Sequence, residues 1–395
     1  MKKIRVIAYG AVAEIPAESG VITSFRKRFR LHWDRLAAQR GASNDFDYRN
    51  HVAASTYNRG DFAIMQASLQ ALHNANRKLE PIPTDWETLD QSKTDTAALV
   101  VCGSGYFFLD GKFRFPARLR TDLEFIKARN IPVVVYGAGV NLVDANLTIG
   151  IPHLPETEKA FLSDFLAHCS HISVRDETSQ YLLQSCTSKA VKLIGDPALF
   201  IETNFTHTHK FPKAAGPKIG INIPFHGPAA GQRIKEDLPI YITTLKKIQA
   251  ETNCHFYFMV HYDTEVLIAR VIEDAGVILT VVDGDVDTLL NVYRQLNIHI
   301  GGMLHSCILS ASTGTPCIGL AYDIKHTGFF DLMGISDFCV PAQPFDSEKV
   351  LALAQQALKH ERQMRELILQ KRAALAIGAS QFLEAALSDI NMDVS

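Results

Sequence analysis

Leu296-Asn297-Ile298-His299-Ile300-Gly301-Gly302-Met303-Leu304-His305-Ser306 is the stretch from which the fold is read. Ile298 to Ile300 reads as a short buried strand, Gly301-Gly302 as a turn, and Leu304 through Thr313 as a helix of small and apolar residues. A strand that passes through a glycine turn into a helix is half of a strand–helix–strand unit of a parallel sheet. The unit also sets His305 at a helix start, where unpaired N–H groups and the positive dipole end converge. Lys325, in the word Tyr322-Asp323-Ile324-Lys325-His326, would complete a pocket for phosphate or carboxylate.

Outward from this unit the same alternation runs along most of the chain. Ile4–Ala8, Ala98–Val101, Val133–Tyr136, His171–Val174 and Val191–Ile194 read as strands. Ala63–Leu72, Arg118–Ala128, Ala160–Ala167 and Ser179–Leu183 between them have helical spacing. From Asn204 to Gly216 the composition turns to Thr, His, Lys and Pro without periodicity, as in a linker. Alternation resumes with Ile219–Ile223, His255–Val260, Val277–Val282, Ile298–Ile300 and Cys317–Ala321. The expected fold is therefore α/β, with two Rossmann-like, doubly wound domains facing across a cleft: residues 1–210 and 211–395. The stretch Ser347 to Leu387 reads as a helical tail broken near Ile377-Gly378 and packed back across both halves.

Bulk properties narrow the function. The chain has 395 residues and a net charge of −2, which argues against a nucleic-acid partner. No long apolar run or secretory leader is present, so a soluble, cytoplasmic protein is expected. The seven cysteines form no CxxC pair and read as buried, reduced thiols. One segment departs from the pattern: a basic insertion at 20–50, in which Ser24 to Arg40 would form a helix with Phe25, Phe29, Trp33 and Leu36 on one side. Arg26, Lys27, Arg28, Arg30, Arg35 and Arg40 stand there against Asp34 alone. Such a helix either packs its aromatic stripe on the first domain or lies peripherally on an anionic membrane surface at the inner face.

Four constellations sit where strands give way to helices or loops. In Tyr57-Asn58-Arg59-Gly60-Asp61, Gly60 permits a tight turn, Asp61 caps the helix, and Asn58 or Arg59 reaches a bound anion. In Ser173-Val174-Arg175-Asp176 a strand ends in Arg175, whose planar fork suits a carboxylate or phosphate; a salt bridge to Asp176 or Glu177 is the plainer reading. His305 and Lys325 are the third, each at a helix amino end. Last are the glycine turns at Cys102-Gly103-Ser104-Gly105 and Gly137-Ala138-Gly139-Val140-Asn141, whose Gly103 and Gly137 would line the cleft with N–H groups or merely turn the chain. Asp196-Pro197-Ala198 reads as a structural turn. No HExxH, GxSxG, Walker or zinc pattern appears, so neither a metal nor a cofactor is expected; His207 and His209 read as solvent-exposed.

In this order, the words Asn58-Arg59-Gly60-Asp61-Phe62-Ala63-Ile64, Ile172-Ser173-Val174-Arg175-Asp176, Gly195-Asp196-Pro197-Ala198, Leu304-His305-Ser306 and Ala321-Tyr322-Asp323-Ile324-Lys325 resemble the polysaccharide pyruvyl transferase family. The resemblance runs from about Asn58 to about Gly334. It implies a glycosyltransferase-B-like arrangement with phosphoenolpyruvate in the interdomain cleft. It also implies pyruvyl transfer to hydroxyls of a cell-surface glycan or its lipid-linked precursor, forming a ketal. Asn58, Arg175, His305 and Lys325 match the donor-site positions, with Ser306 beside them, and Asp61 is the candidate base. The family usually has Arg directly before Leu-His; here that residue is Met303, read as an exposed helix start. The alternatives are a glycosyltransferase using a nucleotide sugar, with His305 and Lys325 on the diphosphate, and a non-catalytic glycan-binding protein.

Overall fold

The computed structural model describes residues 4–13, 58–86, 89, 95–144, 148, 150–203, 216–223 and 234–393. The basic segment Ser24 to Arg40, His207 and His209, and nearly all of the expected linker lie outside the described residues.

The first sheet is built from β1 (Ile4–Tyr9), β2 (Leu79–Thr84), β3 (Thr96–Cys102), β5 (Val133–Ala138), β7 (Cys169–Val174) and β8 (Val191–Leu193). Its order is β2-β1-β3-β5-β7-β8, with every neighbouring pair parallel. A short pair, β4 (Phe107–Phe108) and β6 (Val140–Asn141), sits beyond its carboxyl edge. The helices are α1 (Arg59–Ala75), α2 (Ala117–Arg129), α3 (Glu156–Ala167) and α4 (Glu177–Gln184). Sheet faces covered by helices bury their strands on both sides, and all six residues of Val133–Ala138 are buried.

The second sheet repeats the plan. It contains β9 (Lys218–Asn222), β10 (His255–Met259), β11 (Leu279–Val282), β12 (Ile298–Gly301), β13 (Cys317–Ala321) and β14 (Cys339–Pro341), in the order β11-β10-β9-β12-β13-β14. All its pairs are parallel too. Around it lie α5 (Ile234–Thr252), α6 (Glu265–Asp274), α7 (Val286–Tyr293), α8 (Leu304–Ser312), α9 (Ile324–Met333), α10 (Ser347–Lys359) and α11 (Glu361–Asp393). Strand order reverses at β1/β3 in one sheet and at β9/β12 in the other, which opens a crevice at the strand carboxyl ends of each.

Two details differ from the sequence expectation. Leu79–Thr84 carries Pro81 and Pro83 and does not read as a strand, yet it forms the outer edge of the first sheet. An edge strand has one unpaired side, so the missing N–H groups cost no ladder bond. The helical tail breaks at His360 rather than near Gly378, where a Cβ would meet no atom and the helix runs on. This last helix does pack across both halves. Arg365 donates to the Leu296 carbonyl of the second domain at 2.9 Å, while Arg372 donates to the Leu199 carbonyl of the first, also at 2.9 Å. Phe382 stacks on Tyr136, and His171 meets Asp389 at 2.8 Å.

Two further seams close the domains on each other. Asn58 forms an antiparallel bridge with Tyr262, and the Arg59 N–H donates to the His261 carbonyl at 3.0 Å. Val143 bridges Asp323, flanked by Asp144 N–H to Tyr322 O at 3.0 Å and Ile324 N–H to Leu142 O at 3.2 Å. All seven cysteines are free, and six are buried. No described helix is long and apolar enough to cross a membrane.

Candidate active site

Between the two seams lies a cavity of about 440 Å³. Asn58, Asp61, Arg175, His305 and Lys325 all line it, as do Met303, Tyr262 and Tyr322. Each chemical group arrives on the end of a regular element. Arg175 follows β7, His305 is the second residue of α8, and Lys325 is the second residue of α9.

The start of α1 is arranged differently from its sequence reading. Asn58, not Asp61, is the cap: its side chain accepts from the Gly60 N–H at 2.8 Å. Asp61 therefore keeps its carboxylate for the cavity, where it lies 3.9 Å from His305 Nδ1. Gly60 serves a close approach rather than a turn, because a Cβ there would sit 2.3 Å from the His305 ring. Arg59 turns away from the cavity, donating to the Gly284 carbonyl and pairing with Asp283 at 2.6 Å. It ties the first domain to the second.

Arg175 is both an ion-pair member and a cavity residue. Its Nε lies 3.4 Å from Asp176 and its Nη1 3.7 Å from Asp196, and Nη2 donates to Asn141 Oδ1 at 2.5 Å. Asp176 in turn caps α4, accepting from the Ser179 N–H at 2.7 Å. Gly139 makes the space, since a Cβ there would fall 2.2 Å from Arg175 Nε. Lys325 Nζ stands 3.9 Å from Asp323 and 5.3 Å from the centre of the Tyr322 ring.

His305 is buried, and its Nε2 has no hydrogen-bond partner among the described residues. It faces Asp196 Oδ2, which pairs with Arg175 and likewise accepts no hydrogen bond, at 3.9 Å. Asp196 is thus more than a turn residue: Oδ1 caps the short 3₁₀ turn Pro197–Phe200 while Oδ2 looks into the site. Burial, aided by the charges of Arg175 and Lys325, holds His305 well below the usual imidazole range. The ring is neutral in this arrangement. Burial raises Asp61 to about 6, with Lys325 pulling it back down. Burial tends to lower Lys325, but Tyr322 and Asp323 prevail and its pKa is raised.

Three expected binding residues are not on the cavity wall. Gly103 gives its N–H to Tyr136 O at 2.8 Å, and Gly137 gives its N–H to Ser173 Oγ at 3.1 Å. Both have positive φ and lie under the 3₁₀ turn, where a Cβ would strike Ile64 at Gly103 or Pro197 at Gly137. From that glycine-rich stretch, Ser104 and Gly105 line the cavity instead. Ser306 is fully buried, donates to Met303 O at 2.7 Å and meets His299 Nε2 at 3.0 Å, so it fixes the turn beneath His305. Met303 does face the cavity, but it is a buried cap residue packed with Tyr322 rather than an exposed helix start.

The polysaccharide pyruvyl transferase family profile matches residues 58–324, which contain Asn58, Asp61, Arg175, Asp196 and His305 and end one residue before Lys325. The chain belongs to the polysaccharide pyruvyl transferase family. No curated protein matches it in sequence. Its two-domain, glycosyltransferase-B-like architecture is shared by solved structures of nucleotide-sugar enzymes. S. aureus MnaA with UDP is 11% identical, with a TM-score of 0.53 and coverage of 93% of this chain and 91% of that one. A Listeria monocytogenes protein assigned as a UDP-N-acetylglucosamine 2-epimerase is 10% identical, with a TM-score of 0.54 and the same coverages. At such identities the likeness is one of fold.

As a pyruvyl transferase family member the chain is a transferase. Asn141, Asp196, Arg118, Trp86, Tyr262 and Tyr322 escaped the sequence reading as site residues. The words Gly195-Asp196-Pro197-Ala198, Ala321-Tyr322-Asp323 and Gly137-Ala138-Gly139-Val140-Asn141 were signals for three of them. Nothing local marks the other three, which reach the cavity only through tertiary packing.

Proposed function

We propose that the cavity transfers a pyruvyl group from phosphoenolpyruvate to two hydroxyls of one sugar in a cell-surface glycan or its lipid-linked precursor. The convergence of Asp61, Arg175, His305 and Lys325 on one cavity supports this reading. Arg175 and Lys325 hold the donor's anionic groups, each contact strengthened by the buried setting. Burial chiefly, and the two cations with it, depress His305; a bound phosphate opposes the cations, so donor binding favours the protonated ring.

The first sugar hydroxyl adds to the enol carbon and gives its proton to Asp61, whose raised pKa suits a base near neutrality. His305 delivers a proton to the methylene carbon, which becomes the methyl group. Asp61 and His305 Nδ1, 3.9 Å apart, then re-equilibrate the proton. The second hydroxyl displaces phosphate from the same carbon, its proton leaves with the phosphate, and the ketal ring closes. In this reading the enzyme works at the cytoplasmic face, with the segment Ser24 to Arg40 held to the anionic inner membrane.

Thermal unfolding with added donors tests the proposal. Phosphoenolpyruvate at about a hundred times its Kd should add about 2.7 kcal/mol of stability, and its binding should take up a proton near pH 7.5, read by calorimetry in buffers of different ionisation enthalpy. Stabilisation by UDP and not by phosphoenolpyruvate would transfer the chain to the nucleotide-sugar reading.

A further inference from the structure

The cavity has a second wall that the pyruvyl-transfer chemistry does not use. Arg118, on α2, lays its guanidinium 3.7 Å above the centre of the Trp86 ring. Trp86 in turn stacks on Tyr106, with ring centres 5.5 Å apart and planes 16° from parallel. Arg118 Nη2 makes one long hydrogen bond to Tyr106 O, at 3.4 Å, and its buried Nε has no partner. Phe108, an exposed aromatic, and Pro116 complete this wall of the same cavity.

Arg118 differs from the other cavity cations in its counter-charge. Arg175 stands beside Asp176 and Asp196, and Lys325 beside Asp323. Among the described residues Arg118 forms no ion pair. The acid one helical turn along, Asp122, has both oxygens engaged, by Tyr9 at 3.0 Å and by Tyr106 at 2.8 Å. The charges that chiefly set Asp61, His305 and Lys325 include one another and Arg175, whereas Arg118 acts on Tyr9, Tyr106 and Asp122. Arg118 thus opens on the same space as the reacting cluster without a carboxylate paired to it among the described residues. A guanidinium fixed on an indole keeps its planar fork preorganised for an oxyanion, and the exposed Phe108 ring beside it offers an apolar face to a sugar ring.

We infer that the Trp86–Arg118 wall is the acceptor subsite, and that it selects a sugar carrying an anionic group, a carboxylate or a phosphate, near the hydroxyls to be modified. The inference rests on the pyruvyl-transfer reading and names the class of its acceptor. An anionic substituent seats on Arg118 with the ring along Trp86 and Phe108, which leaves the donor's charges to Arg175 and Lys325.

The chain has two tryptophans, so a Trp33→Phe protein reports on Trp86 alone. Its indole emission is titrated with glucuronate, glucose 1-phosphate and glucose, with and without saturating phosphoenolpyruvate. The acidic sugars should change the emission saturably in both conditions and glucose should not. A response to glucuronate alone would identify an acidic sugar as the source of the charge, and a response to glucose 1-phosphate alone a phosphate-bearing acceptor. Arg118→Gln should weaken the response at least tenfold and Arg118→Lys less, while stabilisation by phosphoenolpyruvate stays as in the parent, which also shows that the variants fold. Equal binding of glucose, or no response to any sugar, would overturn the assignment. So would an Arg118→Gln protein that loses its response to phosphoenolpyruvate and keeps that to the sugars. Failure of phosphoenolpyruvate to stabilise the parent would instead refute the donor reading, and the sugar titrations without donor would still decide the subsite.

Discussion

Gly60→Ala is the sharpest probe of the site, because it adds one methyl group against the residue proposed to move protons. The new Cβ would lie 2.3 Å from His305 Cβ and Cγ and 2.4 Å from Nδ1, where an ordinary contact begins at 3.4 Å, so His305 must retreat as a whole, Cβ included, by about 1 Å. His305 is buried, with Asp61 and Asp196 on either side, so that retreat breaks the geometry on which proton transfer depends. A displacement of about 1 Å costs on the order of 100-fold in rate, or about 2.7 kcal/mol of transition-state stabilisation. On stability two effects compete. Overpacking costs about 1–3 kcal/mol, and replacing glycine in a helix returns about 1 kcal/mol. The substitution should therefore damage kcat/KM more than the fold. A double-mutant cycle isolates the cause: in a His305→Gly background both the ring and the Cβ that clash are gone, and Gly60→Ala should be neutral or stabilising in urea unfolding. Wild-type kinetics in Gly60→Ala, or an equal loss of stability in both backgrounds, would refute the close-approach account.

The other expectations follow from charge and burial. Arg175→Ala and Lys325→Ala should each abolish measurable turnover. Arg175→Ala should also cost about 3–5 kcal/mol in urea unfolding, because it leaves Asp176 and Asp196 buried beside no cation; unchanged stability would mean that the carboxylates are solvated. Glu265 accepts from the His261 and Tyr262 N–H groups at 2.7 and 3.1 Å, and burial raises its pKa to about 7. A folded pKa above the unfolded one means the folded chain binds the extra proton, so the contribution of Glu265 is full below about pH 4 and is lost as pH rises through about 7. The melting temperature of Glu265→Gln relative to wild type should therefore be higher at pH 8 than at pH 5, and a difference independent of pH would contradict this. Replacing Arg26, Lys27, Arg28 and Arg30 with Gln should weaken sedimentation with anionic vesicles, at about 1 kcal/mol per residue and less at high salt. Equal sedimentation of both proteins would assign the segment to packing.

The sequence by itself determined the fold class and much of the reacting cluster. Short apolar runs such as Val133–Tyr136 are buried on both faces of a parallel sheet, and that burial demands continuous apolar composition, which is visible in one dimension. His305, Lys325 and Arg175 were legible because the ends of strands and helices converge at the crevice of such sheets, so placement follows from element order. The tertiary structure decided the rest. Only the approach of α8 to α1 shows that Gly60 is a gap for His305, and only that packing frees Asp61 from the capping role its position suggests. Burial beside two cations, a property of the assembled domains, turns His305 from a residue near its ordinary pKa into a neutral one. Arg118 and Trp86 are 32 positions apart and carry no local signal; they become a wall because α2 and the segment after β2 fold onto the same mouth of the cavity. Side chains from distant segments meet through packing, and packing is specified by the whole chain rather than by any one stretch of it.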